Sequence, residues 1–489
     1  MADTGQSRQE QLPARGETET TLARWVELHR LAVAGQESAI ARDSGSRIAK
    51  IWLPRSRFAD VVTLTSATLT FGPDVDAFYH LGWAQFALGQ PRSSLDTYTH
   101  ALRLARESGN SGKEASILNN IGLVYAGIGE VKQAITCHRD SLHISRMAGN
   151  RDSEAATLNN IGGIHDRLGN PQQALNYYHQ ALSIRREIGN PNGESAILNN
   201  IGGIHDRLGN PQQALNYYHQ ALSIRREIGD TKGEATSLSN IGLVHSRLGD
   251  WQQALTHYQH ALQIRREVGD RAGEAVTLNN IGGSHNRLGD WQQALTHYQH
   301  ALQIRREVGD RAGEAVTLNN IGLVHSNVEN WQQALTYYRR ALPIRREVGD
   351  RAGEATTLTN IGLAYDGLGD WQRALTYYQQ ALPIRRDVGD RGGEATTLAN
   401  IGAIQLVQGN FAAAQNILGE ALKIFQVVGD RRSEAIVRAH LADLLVQMSR
   451  VADAVEVQRR AVTLAEQTSH PELERMRTFL VELEQMRRS

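Results

Sequence analysis

The sequence predicts an all-α protein, a solenoid of stacked helix pairs, and two observations carry that prediction. One phrase returns every 40 residues, as LNNIGLVYAGIGE at 118, LNNIGGIHDRLGN at 158 and 198, and LTNIGLAYDGLGD at 358. Inside each copy, apolar residues recur at three- and four-residue spacing, which is typical of the buried face of a helix. No segment carries a strand pattern, so we expect helices throughout.

Ten units in constant phase fill roughly residues 75–474. Residues 251–280 and 291–320 are identical, which indicates recent tandem duplication. One helix pair cannot bury both of its faces, so neighbouring pairs must stack and share a core. A column of small residues permits close helix approach in every unit: Gly82, Gly122, Gly162, Gly202, Gly242, Gly282, Gly322, Gly362, Gly402 and Ala442.

Each unit carries clear signals for the end of one helix and the start of the next. Gly169 suits the left-handed residue that ends a helix. Asn170 and Pro171 then fit the cap and the first residue of a second helix. In later units Gly269 ends a helix, and Asp270 caps the one that follows. Prolines 343 and 383 fall inside second helices, and each predicts a local bend.

The units set the predicted domain boundaries. Residues 1–19 are expected to form a disordered tail, and residues 20–74 a degenerate helical repeat that acts as an N-terminal cap. The ten tandem units occupy 75–474. Residues 471–489 are expected to form a capping helix, because the last repeat would otherwise expose an apolar face.

Composition narrows the functional class. The chain has 52 basic and 52 acidic residues, so no overall charge points to nucleic acid or a membrane surface. A single cysteine, Cys137, excludes an internal disulfide and fits a reducing compartment. No apolar run is long enough to span a bilayer, and the first twenty residues are polar. We therefore expect a cytoplasmic protein without metal or cofactor.

The arrangement Leu…Ile-Gly-x-x-Tyr/His…Leu-Gly-Asp…Ala…Tyr…Ala resembles the tetratricopeptide repeat, here with a longer second helix. The phrase GDRAGEA…LNNIG is most similar to repeats of LGN/Pins-type adaptors, kinesin light chain and bacterial signalling regulators. The resemblance implies a right-handed superhelix. It also implies that the first helices line a concave groove, which binds an extended peptide or a partner helix.

Polar columns on the first helices are the candidate binding residues. Asparagine amides can pair with an extended backbone, and guanidinium groups favour carboxylates. We therefore predict that units three to six grip an acidic, extended segment; the alternative is a merely solvated surface. The candidates are Asn119, Asn159, Asn199, Asn279 and Asn319, then Arg167, Arg207, Arg247 and Arg287, with Asp166 and Asp206 beside them.

A second asparagine column lies at the edge between groove and core: Asn160 with Asn120, Asn200, Asn240, Asn280, Asn320, Asn360 and Asn400. Its recurrence in eight of the ten units favours a structural bond across to the adjoining repeat, with ligand contact as the alternative.

Other recurring residues are interpreted as structural. The histidine column that starts at His165 has copies about 10 Å apart, too far to share a metal ion, so packed and hydrogen-bonded rings are expected. The tryptophans that open second helices, such as Trp331, are expected to pack between helices. Cys137 has no recurring His or Asp partner, which argues against a nucleophile.

Three functions remain after these observations. An adaptor that binds a protein or peptide is the first, and a regulatory sensor that controls a separate output protein is the second. An enzyme is disfavoured, because nearly every polar feature recurs whereas a catalytic arrangement should be singular. Neither the partner nor the oligomeric state follows from the sequence.

Overall fold

A computed structural model describes residues 15–488, which form α-helices, one short 3₁₀ helix and no strand. The helices are α1 (Arg15–Ala34), α2 (Ser38–Trp52), the 3₁₀ helix (Leu53–Arg55), α3 (Phe58–Leu69), α4 (Val75–Ala87), α5 (Pro91–Glu107), α6 (Ser111–Gly127), α7 (Val131–Met147), α8 (Arg151–Arg167), α9 (Pro171–Glu187), α10 (Pro191–Arg207), α11 (Pro211–Glu227), α12 (Thr231–Leu248), α13 (Trp251–Glu267), α14 (Arg271–Leu288), α15 (Trp291–Glu307), α16 (Arg311–Asn327), α17 (Trp331–Glu347), α18 (Arg351–Gly367), α19 (Trp371–Asp387), α20 (Arg391–Val407), α21 (Phe411–Val428), α22 (Arg431–Gln447), α23 (Val451–Gln467) and α24 (Leu473–Arg488). The all-α prediction is confirmed.

The chain divides into two compact units at residue 230. The N-terminal unit holds α1–α3 and the pairs α4/α5 to α10/α11. The C-terminal unit holds the pairs α12/α13 to α22/α23, followed by α24. We call the even-numbered helices α4–α22 the A helices and the odd-numbered helices α5–α23 the B helices.

Within each unit the pairs stack in sequence order. Each A helix packs on its own B helix, and that B helix packs on the next A helix, as α7 does on α8 and α13 on α14. Successive A helices also touch each other, as α6 and α8 do. The core is therefore continuous along each unit, as expected for pairs that cannot bury their apolar faces alone.

Tight packing inside eight of the ten pairs depends on an A-helix glycine that faces a B-helix ring. A methyl group on Gly162 would lie 2.8 Å from Tyr178 Cε1, and Ala174 and Ala181 beside it are fully buried. The predicted need for small residues is confirmed. We call the B-helix position the tyrosine column: Tyr98, Tyr178, Tyr218, Tyr258, Tyr298, Tyr338 and Tyr378, replaced by His138, Leu418 and Gln458 in the other three units.

The predicted helix ends are confirmed, with one difference. Gly169 and Gly269 both have φ near 70°, in the left-handed region. The Asp270 carboxylate accepts the Gly273 N–H at 2.9 Å and so caps α14. Asn170 occupies the cap position of α9, but its side chain accepts no cap hydrogen bond. Pro171 at the first helical position fixes the start of α9 there without such a bond.

The predicted ends of the chain need correction. Residues 20–74 were expected to form a degenerate pair, but three helices lie there, because α2 occupies the stretch between the two expected helices. Ile48 and Ala49 of α2 are fully buried in the local core. Helix α1 already begins at Arg15, inside the predicted tail; residues 1–14 lie outside the described part. Helix α24 begins at Leu473, close to the predicted capping helix.

Pro343 lies inside α17, which runs unbroken, and Gln303 occupies the same position one repeat earlier. Substitution of Pro343 by Gln restores an N–H donor for the Arg339 carbonyl. Interior proline costs about 3 kcal/mol. Because Pro343 is exposed and water can solvate the freed carbonyl, we expect the variant to be more stable by roughly 1–2 kcal/mol, seen as a higher thermal midpoint.

The matched control is Pro211→Gln, at the first helical position of α11, where proline costs nothing. Equal gains in both variants, or no gain in P343Q, would contradict this interpretation. The bend expected at Pro343 and Pro383 stays a prediction.

Candidate binding site on the A-helix face

The polar side of the A helices, which we call the A-helix face, is crossed by asparagine pairs. Asn160 Nδ2 donates to Asn119 Oδ1 at 3.0 Å, and Asn200 Nδ2 donates to Asn159 Oδ1 at the same distance. In the C-terminal unit, Asn320 and Asn360 donate in the same way to Asn279 and Asn319, at 3.1 Å. The structural interpretation of the second asparagine column is confirmed at these positions.

The asparagine pair is absent where the first column has threonine instead of asparagine. The Thr359 hydroxyl donates to the Ala355 carbonyl of its own helix at 2.9 Å, and its contact with the next repeat is with the Thr397 hydroxyl at 3.5 Å, not with Asn400. Asn400 Nδ2, which would have paired with it, is buried without a hydrogen-bond partner among the described residues. The bond between repeats therefore needs asparagine in both columns.

These bonds limit what the first asparagine column can offer a ligand. The side-chain oxygens of Asn119, Asn159, Asn279 and Asn319 already accept a hydrogen bond within the protein, so their amide N–H groups are what remains for a partner. Asn319 is buried, whereas Asn119, Asn159, Asn199 and Asn279 are half-buried. In the second column, Asn240 and Asn280 are also half-buried.

The arginine column is exposed, but its members have different surroundings. Arg207 forms an ion pair with Asp166, which lies 41 residues earlier on the preceding A helix. A ligand carboxylate would have to compete with Asp166 for this guanidinium. Arg247 is exposed and Asp206 is half-buried.

Arg167 and Arg287 differ from Arg207, because the residue 41 positions earlier is not acidic. Ala126 precedes Arg167, and Ser246 precedes Arg287. Within the described chain neither guanidinium has a carboxylate at ion-pair distance, and Arg287 instead lies 6.0 Å over the Trp251 ring. These two residues carry the positive charge that remains available on the A-helix face.

A cavity of about 160 Å³ opens beside Arg167 in the N-terminal unit. It is lined by His138, Asn159, Asn160, Arg167, Tyr178 and Asn200, together with Leu123, Ala126, Gly163 and Ile164. Four of these residues, Asn159, Asn160, Arg167 and Asn200, belong to the predicted columns, and the structure brings them together. His138 belongs to the tyrosine column, and its imidazole is smaller than the phenol ring that seven other units have there.

His138 gives the cavity a buried acceptor. The ring is fully buried, and Nδ1 lies 3.0 Å from Asn119 Oδ1. Because an amide oxygen only accepts, Nδ1 carries the proton and Nε2 is left with a lone pair. Nε2 has no hydrogen-bond partner among the described residues. The cavity thus pairs an acceptor, His138 Nε2, with a cationic donor, Arg167.

Burial keeps the cavity's titratable rings neutral. It lowers the pKa of His138 to about 4, and the Arg167 charge contributes to the same shift. Burial raises the pKa of Tyr178 to about 12, assisted by the Asp166 charge. At neutral pH the only charge in the lining is therefore the Arg167 guanidinium.

The histidine column packs as expected, but its hydrogen bonding was mostly predicted wrongly. His165 stacks on Tyr177 with ring centroids 5.3 Å apart, and His205 stacks on Tyr217 at 5.4 Å. In the described chain, the buried Nδ1 atoms of His165 and His205 have no hydrogen-bond partner. The tyrosine ring stacked on each histidine places no acceptor in the plane of the imidazole, which is where a hydrogen bond to Nδ1 would have to lie. Two members of this column face a carboxylate: His285 Nδ1 lies 3.3 Å from Asp290 Oδ2, within hydrogen-bond distance, and His245 Nδ1 lies 3.6 Å from Asp250 Oδ2.

No group of three His, Cys, Asp or Glu side chains within residues 21–488 could hold a metal ion. Burial raises the pKa of the half-buried Cys137 thiol, which disfavours the nucleophilic thiolate.

Trp331 packs against Gly367 of the next A helix, as predicted, whereas Trp291 and Trp371 stay partly exposed.

The interruption of the tyrosine column was missed by sequence reasoning. His138 and Gln458 stand out once second helices are aligned at 40-residue spacing, because seven of the ten units have tyrosine there.

Helix pairs stacked in constant register, with a polar A-helix face, define an α-solenoid repeat protein. The chain belongs to the tetratricopeptide repeat family, as the sequence resemblance indicated. Family profiles described as tetratricopeptide repeat match residues 76–108, 113–187, 193–267, 233–307, 273–347, 313–387 and 393–467, well over half of the chain.

Solved structures share the fold at low identity. A signal-transduction ATPase with numerous domains and a tetratricopeptide repeat sensor, from Pyrococcus horikoshii, is 14% identical with a TM-score of 0.50. That match covers 69% of this chain and 54% of the ATPase, so the chain spans about half of that protein's length.

Two further structures are similar. The quorum sensor NprR from B. thuringiensis is 15% identical over 78% of this chain and 99% of its own, with a TM-score of 0.49. BtubC from P. vanneervenii is 22% identical over 45% of this chain and 92% of its own, with a TM-score of 0.41. No curated protein sequence matches the chain.

None of the described helices is both long and apolar enough to cross a membrane.

Proposed function

We propose that the chain is an interaction scaffold that holds an extended, acidic segment of a partner protein on its A-helix face. The observation that carries the proposal is the cavity that both Arg167 and His138 line. A peptide with an acidic residue supplies what both side chains lack: a carboxylate for the guanidinium and an N–H donor for Nε2.

The surroundings of the cavity support the same ligand. Asn159 keeps its amide N–H groups for a peptide carbonyl, because its oxygen is bound by Asn200. A volume of about 160 Å³ accommodates a side chain rather than a drug-sized molecule. The rest of the segment would then lie across neighbouring A helices. A protein partner in the cytoplasm, without cofactor or catalysis by this chain, completes the proposal.

A regulatory sensor is the second candidate, and one finding favours it. The similar ATPase from Pyrococcus horikoshii carries a tetratricopeptide repeat region described as a sensor. In that case, ligand binding would recruit or release a separate output protein. Ligand-dependent release from a native complex supports the sensor, whereas a stable stoichiometric complex supports the scaffold.

The test is charge reversal at Arg167. A partner purified from a native extract is mapped to its shortest binding peptide, and affinity is measured by fluorescence anisotropy. We expect Arg167→Glu to weaken binding at least tenfold at low salt, because a carboxylate would then face a carboxylate. Arg92→Glu is the charge-matched control, since Arg92 is exposed on the B helix α5. Equal affinity of the two variants would exclude this site.

A further inference from the structure

A second interruption of the tyrosine column lies at the end of the C-terminal unit. Gln458 of α23 is fully buried, and its Nε2 donates to the Met476 carbonyl of α24 at 2.8 Å. Because a carbonyl only accepts, this bond fixes the orientation of the amide, and Oε1 must point the other way. Oε1 is buried and has no hydrogen-bond partner among the described residues.

Gln458 lines a cavity of about 680 Å³ between α22, α23 and α24. That volume lies within the range of sites that hold small organic ligands. Part of its wall is apolar, formed by Ile436, Met476 and Phe479. An unsatisfied buried acceptor beside an apolar wall calls for a ligand that has both an N–H or O–H donor and a hydrocarbon body.

The remaining wall is acidic. Asp443, Glu472 and Glu482 contribute carboxylates, and Arg475 is the cation among the lining residues. Arg475 is paired with Glu472 at 3.5 Å. Asp443 and Glu482 are exposed at the rim, and within the described residues neither has an ion pair or hydrogen bond from its side chain. The uncompensated charge of the cavity is therefore negative, which disfavours anions.

We propose that this cavity binds an organic cation, an ammonium or guanidinium group attached to an apolar chain or ring. The cationic N–H donates to Gln458 Oε1, and Asp443 and Glu482 balance its charge. The hydrocarbon part packs against Met476 and Phe479. The site lies in the C-terminal unit and does not depend on the peptide site beside Arg167. A free amine and a basic side chain of a partner share this chemistry.

Titration calorimetry with defined probes tests the proposal. 2-Phenylethylammonium is compared with 2-phenylethanol and 3-phenylpropanoate, which have similar size but no positive charge. N-acetyl-lysine amide represents a basic side chain of a protein. We expect saturable binding of the ammonium ion, at least tenfold tighter than either uncharged or anionic analogue. Higher affinity for N-acetyl-lysine amide assigns the natural ligand to a partner protein. Higher affinity for 2-phenylethylammonium assigns it to a small molecule.

Two sets of variants assign the binding to the cavity. Gln458→Leu introduces the residue that the preceding repeat has at Leu418, so the core stays filled while the acceptor is lost. The pair Asp443→Asn and Glu482→Gln changes only exposed groups, and so tests the site even if Q458L is unstable. Each is expected to weaken ammonium binding at least tenfold.

Glu474→Gln on the same capping helix is the matched control, because Glu474 pairs with Arg477 and does not line the cavity. The proposal is overturned if wild-type protein shows no saturable ammonium binding, or if 3-phenylpropanoate binds equally well. Full affinity in the Asp443/Glu482 double variant would overturn it as well.

Discussion

Replacement of Gly322 by leucine should unfold the pair α16/α17 and lower its free energy of unfolding by roughly 3–5 kcal/mol. Even a methyl group on Gly322 would lie 2.5 Å from Tyr338 Cε1 and 2.7 Å from Cδ1. The ring has little freedom to retreat, because Tyr338 is buried and its hydroxyl is 3.0 Å from Ser326 Oγ. The two helices must therefore separate to admit a larger side chain.

Hydrogen exchange of the α16 and α17 amides measures this effect locally, which suits a repeat array. Gly419→Leu is the control: it makes the same change in α21, where an added Cβ would meet nothing within 4 Å. There, a neutral result or a gain of up to ~1 kcal/mol is expected from helix propensity. The added substitution Tyr338→Ala should restore part of the loss in G322L. Similar behaviour of G322L and G419L would contradict the packing account.

On acidification from pH 7 to pH 4, the free energy of unfolding of the N-terminal unit should fall by about 3 kcal/mol less in His138→Tyr than in wild type. Burial lowers the pKa of His138 from 6.5 to about 4 in the folded state. Between these values the unfolded chain binds a proton that the folded chain does not. The contribution to stability is therefore complete above pH 6.5 and is lost as the pH falls towards 4. Tyrosine, which seven other units have here, also fills the cavity and should raise stability at pH 7.

Urea unfolding of wild type and H138Y from pH 7 to pH 4 measures the difference. Burial also lowers the pKa of His80 to about 4, but that contribution is common to both proteins and cancels. His143→Tyr, at an exposed position on the same helix α7, is the control and should follow wild type. If H138Y loses as much stability as wild type on acidification, then His138 is not the buried base described here.

The fold was predictable because its signals recur in every repeat. The 40-residue period placed all ten pairs, and the left-handed residues Gly169 and Gly269 end helices as predicted. Helix α2 was not predicted, because residues 38–52 lie outside the repeated region and had no second copy to compare.

The candidate site was predictable only in part. Sequence reasoning placed Asn159, Asn160 and Arg167 on the A helices, and the structure brings them to one cavity. It could not show that Arg207 is already bound by Asp166, because that pairing depends on the geometry between adjacent repeats. The unpartnered atoms of His138 and Gln458 were inaccessible for the same reason: whether a polar atom is satisfied depends on neighbours distant in sequence.

Site-specific photo-cross-linking tests most directly whether the A-helix face beside Arg167 is the binding face. A benzophenone amino acid is placed at Leu123, which lines the cavity and is 38% exposed. A second variant carries it at Gln180, exposed on the B helix α9. Irradiation of native complexes should link the partner to position 123 and leave position 180 unlinked. A partner linked at position 180 and absent from position 123 would contradict the proposed binding face.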